Sequence, residues 1–396
     1  MAGMLISLFF SRAGLSICMM VFLATALVHK DVVQQVKKSF KTPLLAGLCL
    51  LFFIPFLSGL WSSNVEEWSS VVRIKLPLLL LPLAFAGNWQ LSPKQWRQLA
   101  LLFLLLVTAG TVWSTYYYLQ DRAAVHEGYL RAKTIVTPLH NDHVRFSWLV
   151  SAGALLCALL LQLQKHFKIL SSLLLLWLAV YLHLLAARTG LFSFYLMLGG
   201  FAIWYLFKTK NLLKSFYVIG LLLLLPLAAY LALPTFQNRI KYFVYDYDYI
   251  TSGRYLPGAN DGARIQSYKG GWHLLQQHPL GVGAGDVKQE INNWYAQALP
   301  GMVEEDKKLP SSQWLLYGGF AGWPGVILFT LVMLLPFYFA PPQHRLYWWL
   351  LTGTLALSFL FDIGLEVQYG VFIYAFFVGW WWKWFYAPPQ KDLHEE

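Results

Sequence analysis

The segment FYVIGLLLLLPLAAYLAL, residues 216–233, decides the class of this protein. Its 18 residues carry no charge, and an α-helix needs about 20 mostly apolar residues to cross a bilayer. Similar blocks recur along the 396-residue chain. We predict eleven transmembrane helices, at residues 11–28, 43–60, 71–87, 98–120, 146–163, 169–186, 190–207, 216–233, 312–340, 347–361 and 369–385.

The composition agrees with this pattern. Hydrophobic residues make up 58% of the chain and charged residues 12%, whereas a soluble domain has about 25% charged residues. The three cysteines, Cys18, Cys49 and Cys157, all fall inside predicted spans and are interpreted as small core residues. The predicted fold is an all-α polytopic membrane protein, divided into spans 1–8 (1–233), a long outer segment (234–311), and spans 9–11 with a tail (312–396).

The first ten residues are too short to span a membrane alone. They either extend the first helix or lie at the membrane interface. A secretory signal, with Arg12 followed by an apolar run, is the competing interpretation.

The charges predict the orientation, because short cytoplasmic loops are enriched in Lys and Arg. With residues 29–42 inside, the inner segments carry a net charge of +10 and the outer segments +1. This places the N-terminus in the periplasm and the C-terminus in the cytoplasm. The basic residues are explained by topology and by attraction to anionic membrane lipid, so nucleic acid is excluded as a partner.

The two sides also differ in the type of base. Twelve of the 14 inner bases are Lys, whereas nine of the 16 outer bases are Arg. Arginine has a planar fork that matches phosphate and carboxylate. The outer face is therefore expected to bind an anionic ligand, unless these arginines only snorkel at helix ends.

The outer segment 234–311 is far longer than an ordinary loop. A helix is predicted over 262–278, capped by Asn260 or Asp261 and stopped by Pro279. It presents Arg264 inward or merely covers the bundle. The following glycines, in Gly281-Val282-Gly283-Ala284-Gly285, lack the preceding strand of a nucleotide site and predict a turn with close backbone approach.

Two further outer sites stand out. Asp142-His143-Val144-Arg145 leads directly into a spanning helix, which puts His143 and Arg145 at the membrane boundary. Arg188 lies between two apolar spans with almost no loop, and a charge there is expected to pair or to bind a ligand. No convincing metal-ligand spacing accompanies these residues.

These residues occur in an order that resembles a known family. Arg188-Thr189-Gly190 opens a span, and it is followed by Arg264, by Pro279-Leu280-Gly281-Val282-Gly283, and by Pro310-Ser311-Ser312-Gln313-Trp314-Leu315. The arrangement, with one long outer loop before the last spans, is similar to the O-antigen ligase and O-antigen polymerase family of bacterial inner membranes.

The resemblance implies a GT-C-like fold and transfer of a glycan from an undecaprenyl diphosphate carrier. The acceptor is the lipid A core in a ligase or another carrier-linked repeat in a polymerase. The resemblance implies neither a cofactor nor a metal, and it implies that outer arginines hold the diphosphate.

The chain departs from the family at two places. Ala187 stands where Ser often precedes the first arginine, and Ser311-Ser312 stands where a His-Asn pair is common. Because the family histidine is absent, we predict that His143 is the catalytic base. The alternative is that His143 only ends a helix and is bonded to backbone. The predicted substrate-binding residues are Arg145, Arg188, Arg264, Tyr268, Ser311 and Gln313, of which Ser311 and Gln313 contact the acceptor.

Two other classes of function stay open at this point. A transporter of an anionic lipid or glycan would use the same arginines without chemistry, but the spans show few charges along a route. A non-catalytic scaffold in a polysaccharide assembly complex is consistent with Ser311.

Overall fold

The computed structural model describes residues 1–28, 31–163, 168–208, 210–251, 257–258 and 260–386, without the side chains of 248–250. Regular structure in these ranges is helical, which confirms the predicted all-α polytopic class. The helices are α1 Ala2–Phe10, α2 Arg12–Leu27, α3 Val32–Lys41, α4 Pro43–Leu57, α5 Val65–Lys75, α6 Pro77–Phe85, α7 Pro93–Gln120, α8 Arg122–Tyr129, α9 Pro138–Asn141, α10 His143–Leu163, α11 Lys168–Leu185, α12 Arg188–Ile203, α13 Leu212–Ala232, α14 Pro234–Thr251, α15 Asn260–Gln277, α16 Val287–Ala298, α17 Gln313–Tyr338, α18 Arg345–Ser358 and α19 Gln368–Phe385.

Parts of the charge pattern lie outside the described residues. These are Lys30, Lys165, Arg254, Lys391 and the tail from residue 387. The orientation of the two termini and the three-part division of the chain therefore stay predictions.

Eight helical segments in the described ranges are long and apolar enough to cross a membrane. They are Pro43–Leu60, Val65–Phe85, Pro93–Gln120, His143–Leu163, Lys168–Leu185, Arg188–Lys208, Leu212–Ala232 and Gln313–Tyr338. The predicted spans at 11–28, 347–361 and 369–385 coincide with α2, α18 and α19, which do not meet that criterion alone. Since α18 has only 14 residues, or about 21 Å of helix, the total of eleven crossings also stays a prediction.

The aromatic helix α19 lies at the centre of the bundle. All its residues from 369 to 381 are buried, and Phe377 packs edge-on against Phe103 of α7 and Trp148 of α10. In α10, 78% of the apolar stretch is buried inside the protein, whereas in α13 the figure is 11%. The leucine-rich segment 216–233 therefore lies on the surface, where lipid is its solvent.

The first ten residues form a helix of their own and do not extend the first predicted span, while their predicted position at the membrane interface stays a prediction. Helix α1 folds back antiparallel on α2, since Gly3 approaches Cys18 and Ser7 lies 3.5 Å from the Cys18 sulfur. Met4, Leu5 and Leu8 are buried. The hairpin thus packs an apolar half-length helix against the bundle.

The outer segment 234–311 contains three helices, α14, α15 and α16. Helix α15 begins at Asn260, close to the predicted start, but its cap comes from another helix. The carboxylate of buried Asp246 in α14 accepts hydrogen bonds from the backbone N–H groups of Asp261 (2.8 Å) and Gly262 (3.4 Å). Asp261 is therefore not the N-cap that the sequence suggested.

The predicted glycine turn is confirmed as a point of close backbone approach. Gly281 and Gly283 have φ angles of +79° and +92°, and a Cβ on Gly281 would lie 2.6 Å from the backbone nitrogen of Ala321. Helix α17 is broken at this contact, because Gly322 has φ +63° and ψ −149°. The Gly322 kink receives the carbonyl of Pro279, which accepts a hydrogen bond from the Trp323 N–H at 2.9 Å.

Candidate functional site

Three helices begin around one cavity on the predicted outer face. The starts are those of α10, α12 and α15, and a helix N-terminus presents unpaired N–H groups and partial positive charge. The cavity has a volume of about 250 Å³. Its lining residues are Ala132, His143, Val144, Ala186, Ala187, Arg188, Thr189, Arg239, Tyr242, Asn260, Asp261 and Arg264.

Three of the predicted site residues, His143, Arg188 and Arg264, thus meet in this cavity although they are far apart in sequence. Arg145, Tyr268, Ser311 and Gln313 are not among its lining residues. The lining contains three arginines and one carboxylate, so it carries an excess of positive charge.

Arg188 opens α12 after Ala187, which offers no side-chain cap. Its guanidinium is 2.5 Å from the carboxylate of Asp261 and lies over the Phe243 ring, 5.2 Å from the centroid. The side chain is 46% exposed. Arg188 thus pairs with a carboxylate, and its predicted role in binding a ligand stays a prediction.

Arg239 is a cavity residue that the sequence analysis did not select. It donates to the Lys133 carbonyl at 3.0 Å and stacks over Tyr129, 4.8 Å from the ring centroid. Its Nε–H has no partner in the described part of the chain. Arg239 stood out in the sequence only as one of nine outer arginines, because α14 was not recognised as a helix.

His143 is the outer histidine, among those described, that lines the cavity. His126 lies 3.0 Å from the Tyr118 hydroxyl, and His140 stacks on Tyr369. His273 and His278 are exposed on and just after α15. The geometry thus places His143 beside the arginines, while its role as a base stays a prediction.

The remaining predicted site residues converge on a neighbouring corner, residues 359–367, between α18 and α19. Arg264 donates to the Phe361 carbonyl at 3.1 Å, and Tyr268 donates to the carbonyls of Leu360 and Ser311. Arg264 therefore joins the cavity to this corner.

Arg145 points to the same corner. It pairs with Asp362 at 2.8 Å and lies 3.6 Å from Asp142, and it is only 13% exposed. Burial raises the pKa of the Asp362 carboxyl, and the positive charges of Arg145 and Arg264 oppose this rise. In the described structure Arg145 is committed to this pair and does not line the cavity.

A buried polar network anchors the other end of the corner. Lys75 is fully buried and bonds to the Glu366 carboxylate at 2.5 Å and to the Leu365 carbonyl at 3.0 Å. Gln313 is also fully buried, and it donates to Glu366 at 2.8 Å and accepts from the Leu365 N–H at 3.0 Å. Lys75 was visible in the sequence as a charge inside a predicted span, which is the signal that could have found this network.

Ser311 lies behind the corner. It is 8% exposed, and its hydroxyl and its N–H both bond to the hydroxyl of Ser267, at 2.9 and 3.1 Å. Ser311 and Gln313 thus hold the start of α17 in place in this structure. Their predicted contact with an acceptor stays a prediction.

No group of three or more His, Cys, Asp or Glu side chains suited to a metal ion occurs within the described residues.

The fold and the cavity define a polytopic helical membrane protein with an arginine-lined cavity where three helices begin. Residues 173–330 of this chain match the family model for O-antigen ligase. The match confirms the resemblance to the O-antigen ligase and polymerase family and supports a multi-pass protein of the inner membrane. The matched segment contains Arg188, Arg239 and Arg264, whereas His143 lies before it. No curated protein matches the chain in a sequence comparison.

Proposed function

We propose that this protein transfers a glycan from an undecaprenyl diphosphate carrier to the lipid A core, as an O-antigen ligase does. The observation that carries the proposal is the meeting of Arg188, Arg239 and Arg264 with His143 in one cavity. Joining of carrier-linked repeats, as in a polymerase, would use the same site with a different acceptor.

The arginines would serve the leaving group. When the bond between the sugar and the diphosphate breaks, the electron pair goes to the phosphate oxygen, and negative charge develops there. Fixed guanidinium groups and helix N-termini stabilise such charge without reorganising at the moment of reaction. The excess of positive charge around the cavity supports this role.

His143 would serve the acceptor. The acceptor hydroxyl oxygen attacks the anomeric carbon, and its proton must go to a base. The imidazole at the start of α10 lies on the cavity wall with the arginines. Since Ser311 is bonded to Ser267 and cannot accept this proton unaided at neutral pH, His143 is the better-placed group.

The volume of the cavity limits what it accommodates. Clefts for drug-sized ligands have roughly 300–1,000 Å³, and this cavity has about 250 Å³. We therefore expect it to enclose the diphosphate and its bond to the first sugar, while the rest of the glycan lies outside.

Deletion of the gene, followed by gel analysis of the cell's glycans, tests the proposal. Accumulation of unligated, carrier-linked polymer is the result expected for a ligase. Lipopolysaccharide with a single repeat would indicate a polymerase, and an unchanged glycan pattern would contradict both.

A further inference from the structure

Asp261 is the carboxylate among the lining residues of the arginine cavity. Its Oδ1 is 2.5 Å from the Nη1 atom of Arg188, and its side chain is 13% exposed. Its Oδ2 is buried and has no hydrogen-bond partner within the described residues. One of the two carboxylate oxygens is therefore buried without a hydrogen-bond donor from the described residues.

The capping of α15 does not use the Asp261 side chain, although an acidic residue in the first turn of a helix is favourable in itself. The start of α15 is capped by Asp246, which binds the backbone N–H of Asp261 and not its side chain. Because Asp246 of α14 caps the helix, the Asp261 carboxylate is not needed as a cap. Its partner is Arg188.

Asp261 lies among charges of both signs, because the Asp246 carboxylate binds its backbone N–H while several basic side chains surround it. Its negative charge acts on Arg239 and Lys308 as well as on Arg188. Carboxylate and phosphate bind the arginine fork in the same way. A carboxylate already bound to Arg188 therefore occupies the position that a phosphate oxygen would take, and it also repels that phosphate.

We infer that Asp261 is an internal anion. It binds Arg188 while the cavity is empty, and a phosphate group of the ligand displaces it from Arg188. The inference rests on the proposed function, because it takes the cavity to be a diphosphate site. Asp261 would then set the affinity of the cavity for anions. A ligand must bind Arg239 and Arg264 together in order to compete with the Asp261 carboxylate for Arg188.

Calorimetric titration of the purified protein with inorganic pyrophosphate, in detergent and without divalent ions, tests this inference. Asp261→Asn keeps the shape of the side chain and removes its charge, and we expect it to bind pyrophosphate about three- to tenfold more tightly than wild type. Asp261→Ala should show the same direction. Glu67→Gln is the matched control: it removes one outer charge, from a pair with Lys288 at 3.8 Å, and should leave the affinity unchanged.

A double-mutant cycle with Arg188→Gln distinguishes two effects of Asp261 on pyrophosphate affinity: occupation of Arg188, and repulsion of the ligand by the negative charge. If Asp261 acts by occupying Arg188, the gain from Asp261→Asn should be smaller in the Arg188→Gln background, where only the repulsion by its charge remains. A gain that persists undiminished there, or equal or weaker binding by Asp261→Asn alone, would overturn the inference. The proposed function is judged separately, because it requires that wild type binds pyrophosphate and that Arg188→Gln weakens this binding.

Discussion

Each of the three cavity arginines is held by a different kind of contact. Arg188 is held by a carboxylate and a phenyl ring, Arg239 by a carbonyl and a phenol ring, and Arg264 by a carbonyl. A guanidinium has five N–H donors in a fixed fork, and these contacts use only part of them. In the proposed function the remaining donors would fix the direction of a bound phosphate, which a lysine ammonium would not do.

Replacing these arginines by lysine tests the importance of the fork. We expect Arg188→Lys and Arg239→Lys each to lower kcat/KM for glycan transfer by roughly 10- to 100-fold, although the positive charge remains. Arg131→Lys is the control, because Arg131 is 71% exposed and pairs with Glu127 on the surface. Transfer assays with the purified variants measure the effect, and full activity of Arg188→Lys would show that charge alone suffices.

The pH dependence of transfer tests His143 as the base. A protonated imidazole cannot accept the acceptor's proton, so the wild-type rate should fall as the pH falls through the titration of the imidazole. His143→Gln should lose this acid limb and be slower by roughly 100- to 10,000-fold. The profile is measured with purified protein in EDTA. An unchanged rate and limb would eliminate His143 and direct attention to His273, which is exposed on α15.

At the scale of elements, the site depends on two irregular segments. The corner 359–367 receives Arg145 from α10, Arg264 from α15, and the buried network of Lys75 and Gln313 from α5 and α17. The break in α17 receives the glycine turn that follows α15. These contacts fix α15, and therefore Arg264 and Asp261, relative to the starts of α10 and α12.

The break at Gly322 is expected to be sensitive to a single methyl group. The φ and ψ angles of Gly322 are accessible essentially to glycine alone, and other residues pay about 1–3 kcal/mol for such conformations. A Cβ there would also lie 1.9 Å from the Pro279 carbonyl oxygen. We expect Gly322→Ala to lower the unfolding temperature in detergent and to reduce transfer.

Gly220→Ala provides the comparison for this substitution. Gly220 lies in α13, and a Cβ there meets no atom within 4 Å. Alanine is favoured over glycine inside a helix, so this variant should be as stable as wild type or more stable. Equal unfolding temperatures for Gly322→Ala and wild type would show that the kink is not constrained.

For the whole molecule, the sequence predicts the fold class well because long apolar segments have few alternatives in a bilayer. The sequence also indicates His143 and Arg188, since charged groups at span boundaries are conspicuous, whereas Arg264 was selected through the resemblance to the family. It does not predict that Arg145 turns to Asp362 or that Gln313 is bound to Glu366. Those pairings depend on how helices distant in sequence pack, and no local pattern encodes that packing.

The orientation in the membrane is the last property that the charge pattern predicts. With a net charge of +10 on the inner segments and +1 on the outer segments, positively charged loops should remain in the cytoplasm. The cavity then opens to the periplasm, the side that a carrier-linked glycan must occupy in the proposed reaction.

A single cysteine at Gln297, exposed in α16, should react with an impermeant reagent in cells whose outer membrane is permeabilised. Lys210→Cys should be protected until the inner membrane is opened, with Cys18, Cys49 and Cys157 replaced by alanine in both variants. Labelling of Lys210→Cys in intact spheroplasts, together with protection of Gln297→Cys, would reverse the orientation and place the arginine cavity on the wrong side of the membrane for this function.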